Sequence, residues 1–154
     1  FDIDLRTEMK KLKEGGTVEL PLFIAVVGND TLTVFPLQGK GLWGPIWGYI
    51  SLKNDYSTVA GSVFDHKGET PGLGAEIALP EFQKQFVGKK IFDEAGKFVS
   101  VKVIKGGVKN SKTPEVHGVD AISGGTITSN GTSLMIETSL QMYVPFITKN
   151  QSHE

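Results

Sequence analysis

The run Val18-Glu19-Leu20-Pro21-Leu22-Phe23-Ile24-Ala25-Val26-Val27-Gly28-Asn29-Asp30-Thr31-Leu32-Thr33-Val34-Phe35-Pro36-Leu37 decides the fold class. Both halves are rich in β-branched and aromatic side chains, which fit a pleated surface. Gly28-Asn29-Asp30 between them is turn chemistry. Two β-prone runs around a short polar turn predict an antiparallel hairpin, with strands over 18–27 and 31–37. Upstream, Leu5, Met9 and Leu12 recur at helical spacing over 4–14, and Gly15-Gly16 supplies a stop. Downstream, 49–52 is apolar, Asn54-Asp55 marks a turn and 57–64 is again β-prone. The stretch 66–76, with Gly68, Pro71, Gly72 and Gly74, reads as a loop. A short helix is predicted over 80–86, with strands at 91–92 and 98–104 flanking Glu94-Ala95-Gly96-Lys97. Segment 106–114 is loop-like, and 119–128 is small and hydroxyl-rich. Leu134, Met135, Thr138 and Met142 line one side of a helix predicted over 132–144, which Pro145 ends. These elements predict one α+β domain, a mainly antiparallel twisted sheet with helices packed against it. The expected division is an N-terminal helix over 1–16, the main domain over 17–149 and a frayed tail over 150–154.

Composition narrows the chemistry. The 154 residues carry 16 basic and 17 acidic side chains, a net charge of -1, which gives no basic excess for nucleic acid. With no cysteine, disulfides and Cys-ligated zinc or iron–sulfur sites are excluded. His66, His117 and His153 show no metal-ligand spacing, so no metal site is expected. No apolar run reaches the roughly 18–20 residues that cross a bilayer. The sequence opens at Phe1 without an initiator Met, and the expectation is a fragment whose N-terminal anchor is missing. No Gly-x-Gly-x-x-Gly fingerprint marks a dinucleotide site.

Three segments carry chemistry. The first is Asp120-Ala121-Ile122-Ser123-Gly124-Gly125-Thr126-Ile127-Thr128-Ser129. Paired glycines allow a bulky group to approach the backbone, and the hydroxyls of Ser123, Thr126, Thr128 and Ser129 suit an anion near a helix start. The same residues also suit a plain turn and N-cap. The second is Gly39-Lys40-Gly41-Leu42-Trp43-Gly44-Pro45-Ile46-Trp47-Gly48-Tyr49, where Trp43 and Trp47 read either as core anchors or as an aromatic wall beside a ligand. The third is His66-Lys67-Gly68-Glu69-Thr70-Pro71-Gly72-Leu73-Gly74-Ala75-Glu76, a solvated surface loop or a ligand-facing one.

The first segment resembles the flavinylation motif of FMN-binding domains: an acidic residue, two spacers, a hydroxyl residue, two small residues and a threonine. The resemblance implies FMN joined covalently through its phosphate to Thr126 by a flavin transferase that uses FAD. Asp120, Ser123, Gly124, Gly125 and Thr128 then belong to the attachment site, and Gly125 departs from the more usual alanine. The second segment is similar to the C subunit family of sodium-translocating NADH:quinone reductases (Nqr). The third resembles the loop that lies against the flavin ring in Nqr and Rnf domains. It implies His66, Glu69, Thr70, Leu73 and Gly74 as ring-side residues, facing Trp43 and Trp47.

The resemblance implies an electron carrier with no catalytic residue of its own, working beside other Nqr subunits. It further implies a single-pass anchor in the bacterial cytoplasmic membrane and a domain on its outer, periplasmic side. A flavinylated carrier of the Rnf or stand-alone type shares the Thr126 chemistry, and a non-redox, sugar-binding β-rich module is the alternative from another class.

Overall fold

The computed structural model describes residues 4–151. After helix α1 (Leu5–Lys13) the chain forms four strands in sequence order: β1 (Phe23–Val27), β2 (Asp30–Lys40), β3 (Pro45–Leu52) and β4 (Val59–His66). They make one antiparallel meander, ordered β1-β2-β3-β4. The predicted hairpin is present, its turn closed by the Val27–Asp30 pair with Gly28 at a φ of 63°. Its first strand is shorter than the predicted 18–27. Pro21 brings no N–H to a ladder, and its carbonyl accepts a 2.5 Å bond from the Tyr143 hydroxyl instead. The second strand outruns its predicted end and passes through Pro36, beyond the last β1 partner at Val34, where that edge of β2 has no neighbouring strand.

One face of this sheet is the core. Along β3, Ile46, Ile50 and Leu52 are buried while Trp47 and Tyr49 between them are exposed, the period-two signature of a sheet covered on one side. The covering layer is helix α3 (Thr126–Gln141), which crosses β2 and meets β5 (Lys102–Ile104). Strand β5 pairs in parallel with β6 (Gly118–Asp120). Helix α2 (Pro80–Gln83) and the 3₁₀ turn after it bring Phe82 and Phe86 against Phe64 from β4. The α+β class with a mainly antiparallel sheet therefore stands, and β5–β6 forms a separate two-stranded parallel sheet.

Several boundaries differ from the sequence reading. The predicted strand over 98–104 survives only as β5 and a bridge between Phe92 and Phe98. Ser100 interrupts it with a left-handed φ of 62°. Helix α3 starts at Thr126, not at 132. Its inward face is Thr128, Ser129, Thr132, Met135, Ile136, Ser139 and Leu140, whereas Leu134 is exposed. Hydroxyls replace the expected apolar stripe because they bond locally and across the layer. Ser133 Oγ accepts the Val103 N–H at 3.1 Å, and Ser139 Oγ accepts the Gln38 N–H at 3.2 Å. Pro145 begins rather than breaks structure: it lies in the first turn of α4 (Val144–Gln151), where a missing N–H costs nothing. Asn150 and Gln151 belong to that helix, and the remaining tail and His153 lie outside the described residues.

Ser100 yields a prediction. Its left-handed backbone disfavours any side chain, and its hydroxyl is fully buried without a hydrogen-bond partner. Ser100→Gly removes both costs against a loss of unfolded-chain rigidity. A net gain of about 1 kcal/mol is expected, read as a higher urea midpoint.

Candidate functional site

The start of α3, the turn between β2 and β3 and the loop after β4 meet at one cleft of about 210 Å³. The turn contributes Leu42 and Trp43, the loop Glu69, Thr70, Leu73 and Gly74, and the helix Gly124 to Thr128. Nine of the sequence-predicted residues thus come together here. Their approach is tight. Gly124 has a φ of 76°, and a Cβ there would sit 2.8 Å from Leu73 Cδ2. A Cβ on Gly74 would collide with the Thr128 hydroxyl, and one on Gly41 with the Glu69 carboxylate.

Glu69 is the organising group. It is only 4% exposed, yet its carboxylate meets three donors from two other segments. Leu42 N–H donates at 2.9 Å and Trp43 N–H at 2.8 Å, and the Thr128 hydroxyl donates to the same carboxylate. His66 acts from behind, its Nδ1 accepting the Glu69 N–H at 3.0 Å. Burial alone pushes the Glu69 carboxyl up, but the Thr128 hydroxyl and the Trp43 and Leu42 N–H groups outweigh it and hold it below the ordinary value. Its stabilising contribution is therefore complete above the unfolded value of about 4.5 and is lost as pH falls through the lower native value. Glu69→Gln presents an amide N–H₂ where an acceptor is needed. It is expected to cost about 2–3 kcal/mol at pH 7, and denaturant midpoints across pH 3–7 should show that gap closing toward acid pH.

The four hydroxyls of the 120–129 run divide sharply. Thr128 is committed to Glu69, and Ser129 Oγ accepts the Ile122 N–H at 3.1 Å. The Thr128 O–H is thus spent on Glu69, and Ser129 is fully buried, so neither faces an external anion, contrary to the sequence reading. Among the described residues Ser123 and Thr126 bond to nothing, and of these two Thr126 lines the cleft. Thr126 is also the first residue of α3, whose N-cap is Gly125. No side chain caps that end and no acidic residue occupies the first turn, so its positive pole is left for a ligand.

Other predicted residues lie elsewhere. Glu69 lines the cleft, but its carboxylate is turned to Leu42, Trp43 and Thr128 in the wall. Asp120 Oδ1 accepts the Val108 N–H at 2.8 Å, and its own N–H donates to Gln85 Oε1 at 2.9 Å. It lines a separate cleft of about 280 Å³. Ser123 is exposed in the turn before α3. Trp47 stands on the outer sheet face, paired with Gln38 and Asp65, so the predicted two-tryptophan wall reduces at the cleft to Trp43, which is 68% exposed. Leu42 and Ile127 line the cleft and were not singled out from sequence. Ile127 becomes visible only once the helix is known to start one residue before it.

The family profile described as FMN-binding domain matches residues 41–141, more than half of the chain. The chain belongs to the FMN-binding domain family. The matched span holds the whole cleft. The C subunit of the Na(+)-translocating NADH-quinone reductase from Chlamydia pneumoniae is 42% identical over 147 residues, covering 84% of this chain and 46% of that protein. The corresponding protein of Vibrio vulnificus (strain YJ016) is 43% identical over 108 residues, covering 69% and 41%. The crystal structure of the C subunit from Parabacteroides distasonis aligns with a TM-score of 0.80 at 44% identity, covering 96% of this chain and 72% of that one. NqrC of Shewanella oneidensis aligns with a TM-score of 0.67 at 36% identity, covering 79% and 55%. This FMN-binding domain thus stands with the C subunits of that reductase. It spans about half the length of the curated relatives it matches. Among its described residues no helix is long and apolar enough to cross a membrane.

Proposed function

We propose that this domain carries FMN as a phosphoester on Thr126 and relays electrons within a Na(+)-translocating NADH:quinone reductase. The observation that carries the reading is the Thr126 hydroxyl: unbonded, in the cleft, at the uncapped start of α3. In the attachment step the Thr126 oxygen attacks the FMN phosphorus of FAD. The Oγ–P bond forms, the pyrophosphate bond breaks, AMP leaves, and the hydroxyl proton is lost to solvent. A flavin transferase performs this step during maturation.

The residues present fit the group. The first N–H groups of α3 suit its phosphate, whose remaining negative charge the helix pole favours. Leu73 and the Trp43 indole offer apolar surface for a ring, and Thr70 and Gly74 lie beside them. When bound, FMN supplies reversible electron uptake and release, which the protein tunes by its contacts. The cleft is smaller than the about 300–1,000 Å³ of most small-molecule sites, so it holds a flavin only in part. An uncovered ring edge is what a relay to a partner protein requires.

The wider assignment rests on the relatives' names. Its partners are the other Nqr subunits, and the domain, residues 17–149 by the sequence division, sits on the outer side of the bacterial cytoplasmic membrane. The matches to the C subunits favour this parent over a flavinylated carrier of the Rnf or stand-alone type. The test is intact mass and peptide mapping after co-expression with an active flavin transferase. A gain of FMN less one water on the 120–129 peptide is expected. An unmodified chain overturns the reading and returns the sugar-binding module to consideration.

A further inference from the structure

Glu69 poses a question that attachment at Thr126 does not answer. A carboxylate on the wall of a cleft meant for an electron acceptor is electrostatically costly to that acceptor's reduced form. It is nonetheless buried and held by three donors. Two glycines are constrained around it: a Cβ on Gly41 would meet its Oε1, and one on Gly74 would lie 3.1 Å from that atom. A group needed only as a spacer would not require such accommodation.

The geometry explains what it joins. Leu42 and Trp43 belong to the β2–β3 turn, and Thr128 lies two residues after Thr126 in the first turn of α3. Among the described residues Glu69 is the side chain that bonds both segments, and it does so from the loop that supplies Leu73. Its contacts fix Trp43 relative to Thr126. Because every partner donates, the bound form is the carboxylate and not the acid. Two backbone N–H dipoles and one hydroxyl temper its charge without cancelling it. His66 stands behind it, its Nδ1 accepting the Glu69 N–H, and its attraction for the carboxylate is weaker than that of the three donors.

We propose that Glu69 is a positioning residue that also sets the flavin's reduction potential: its carboxylate locks the Trp43 turn to the first turn of α3 and disfavours electron uptake in the cleft. The proposal rests on FMN occupying this cleft. A negative charge close to a reducible group raises the energy of the added electron, and more strongly where water is scarce. The carrier is thereby kept a ready donor to the next centre.

The two ends of the clamp make opposite predictions. Glu69→Gln removes the charge, and the midpoint potential of the FMN-loaded domain is expected to move to more positive values. Thr128→Val removes one tempering donor and leaves the charge, so the potential is expected to move to more negative values, with Thr128→Ser restoring it. Both valine and glutamine variants open the same clamp. A purely structural role therefore shifts both in the same direction. FMN loading is first established by intact mass. An unloaded wild type defeats the flavin reading itself, whereas loaded variants with same-direction or unchanged potentials defeat only the role of Glu69. Should Glu69→Gln fail to fold, the Thr128→Val and Thr128→Ser pair decides alone: a fall with restoration supports the proposal, and any other pattern overturns it.

Discussion

Thr126→Val is expected to abolish covalent flavin completely while leaving the domain folded. Valine copies the branched shape of threonine and removes the oxygen proposed to form the phosphoester. That hydroxyl has no partner among the described residues, so its loss leaves nothing unsatisfied. The stability change should fall within about 0.5 kcal/mol, as for a surface position away from special features. Thr128→Val is the informative control. It lies in the same helical turn, yet its hydroxyl is buried and bonded to Glu69. This second variant is expected to lose about 1–2 kcal/mol and still gain the flavin mass. Intact mass and urea unfolding on both proteins measure the contrast. Adduct on Thr126→Val, or its absence from a folded Thr128→Val, would place the acceptor elsewhere.

Gly131→Ala is expected to destabilise the domain by about 1–3 kcal/mol, the range seen when a well-packed interior is overfilled. Helix propensity alone gives the opposite sign, since replacing a mid-helix glycine by alanine gains about 1 kcal/mol. Packing decides. A Cβ on Gly131 would collide with the Lys40 carbonyl oxygen and come within 3.5 Å of Gly41 Cα, both backbone atoms that cannot rotate aside. Four residues along, Met135 meets β2 in the same manner, and a Cβ on Gly39 would lie 2.6 Å from its Cβ. Thermal unfolding of Gly131→Ala distinguishes the two signs directly. Because α3 carries Thr126, the variant is also expected to be flavinylated less completely.

The sheet was legible in the sequence where side-chain type and turn chemistry agreed. Gly28-Asn29-Asp30 between β-branched runs admits little besides a hairpin, and the alternation along β3 follows from it. Helix α3 was half legible, because the run Thr126 to Ser129 and Gly131 has low helical propensity in isolation. Its hydroxyls and its glycine gain their meaning from β2 and β5, more than ninety residues and about thirty residues away in sequence. The left-handed Ser100 has no local signal at all. At the site, the resemblance brought nine residues to one cleft. It did not distinguish residues that face the cleft from those that hold its walls. Asp120, His66 and the Glu69 carboxylate all turn inward to backbone donors, and only three-dimensional proximity reveals such partners.

The contacts of α3 with the sheet have a mechanical meaning. The helix is pinned to β2 at Ser139 by Gln38 and at Gly131 by Lys40, and to β5 at Ser133 by Val103. Three anchor points spread along a rigid rod prevent it from sliding or rolling by even a fraction of its roughly 5.4 Å pitch. Whatever hangs from its first residue inherits that fixed address. Electron tunnelling falls off steeply with separation, so the proposed carrier, built this way, leaves the approach of its partner as the remaining adjustable distance. Under the proposed function, the rate of relay then reports docking between proteins and not internal motion of this one.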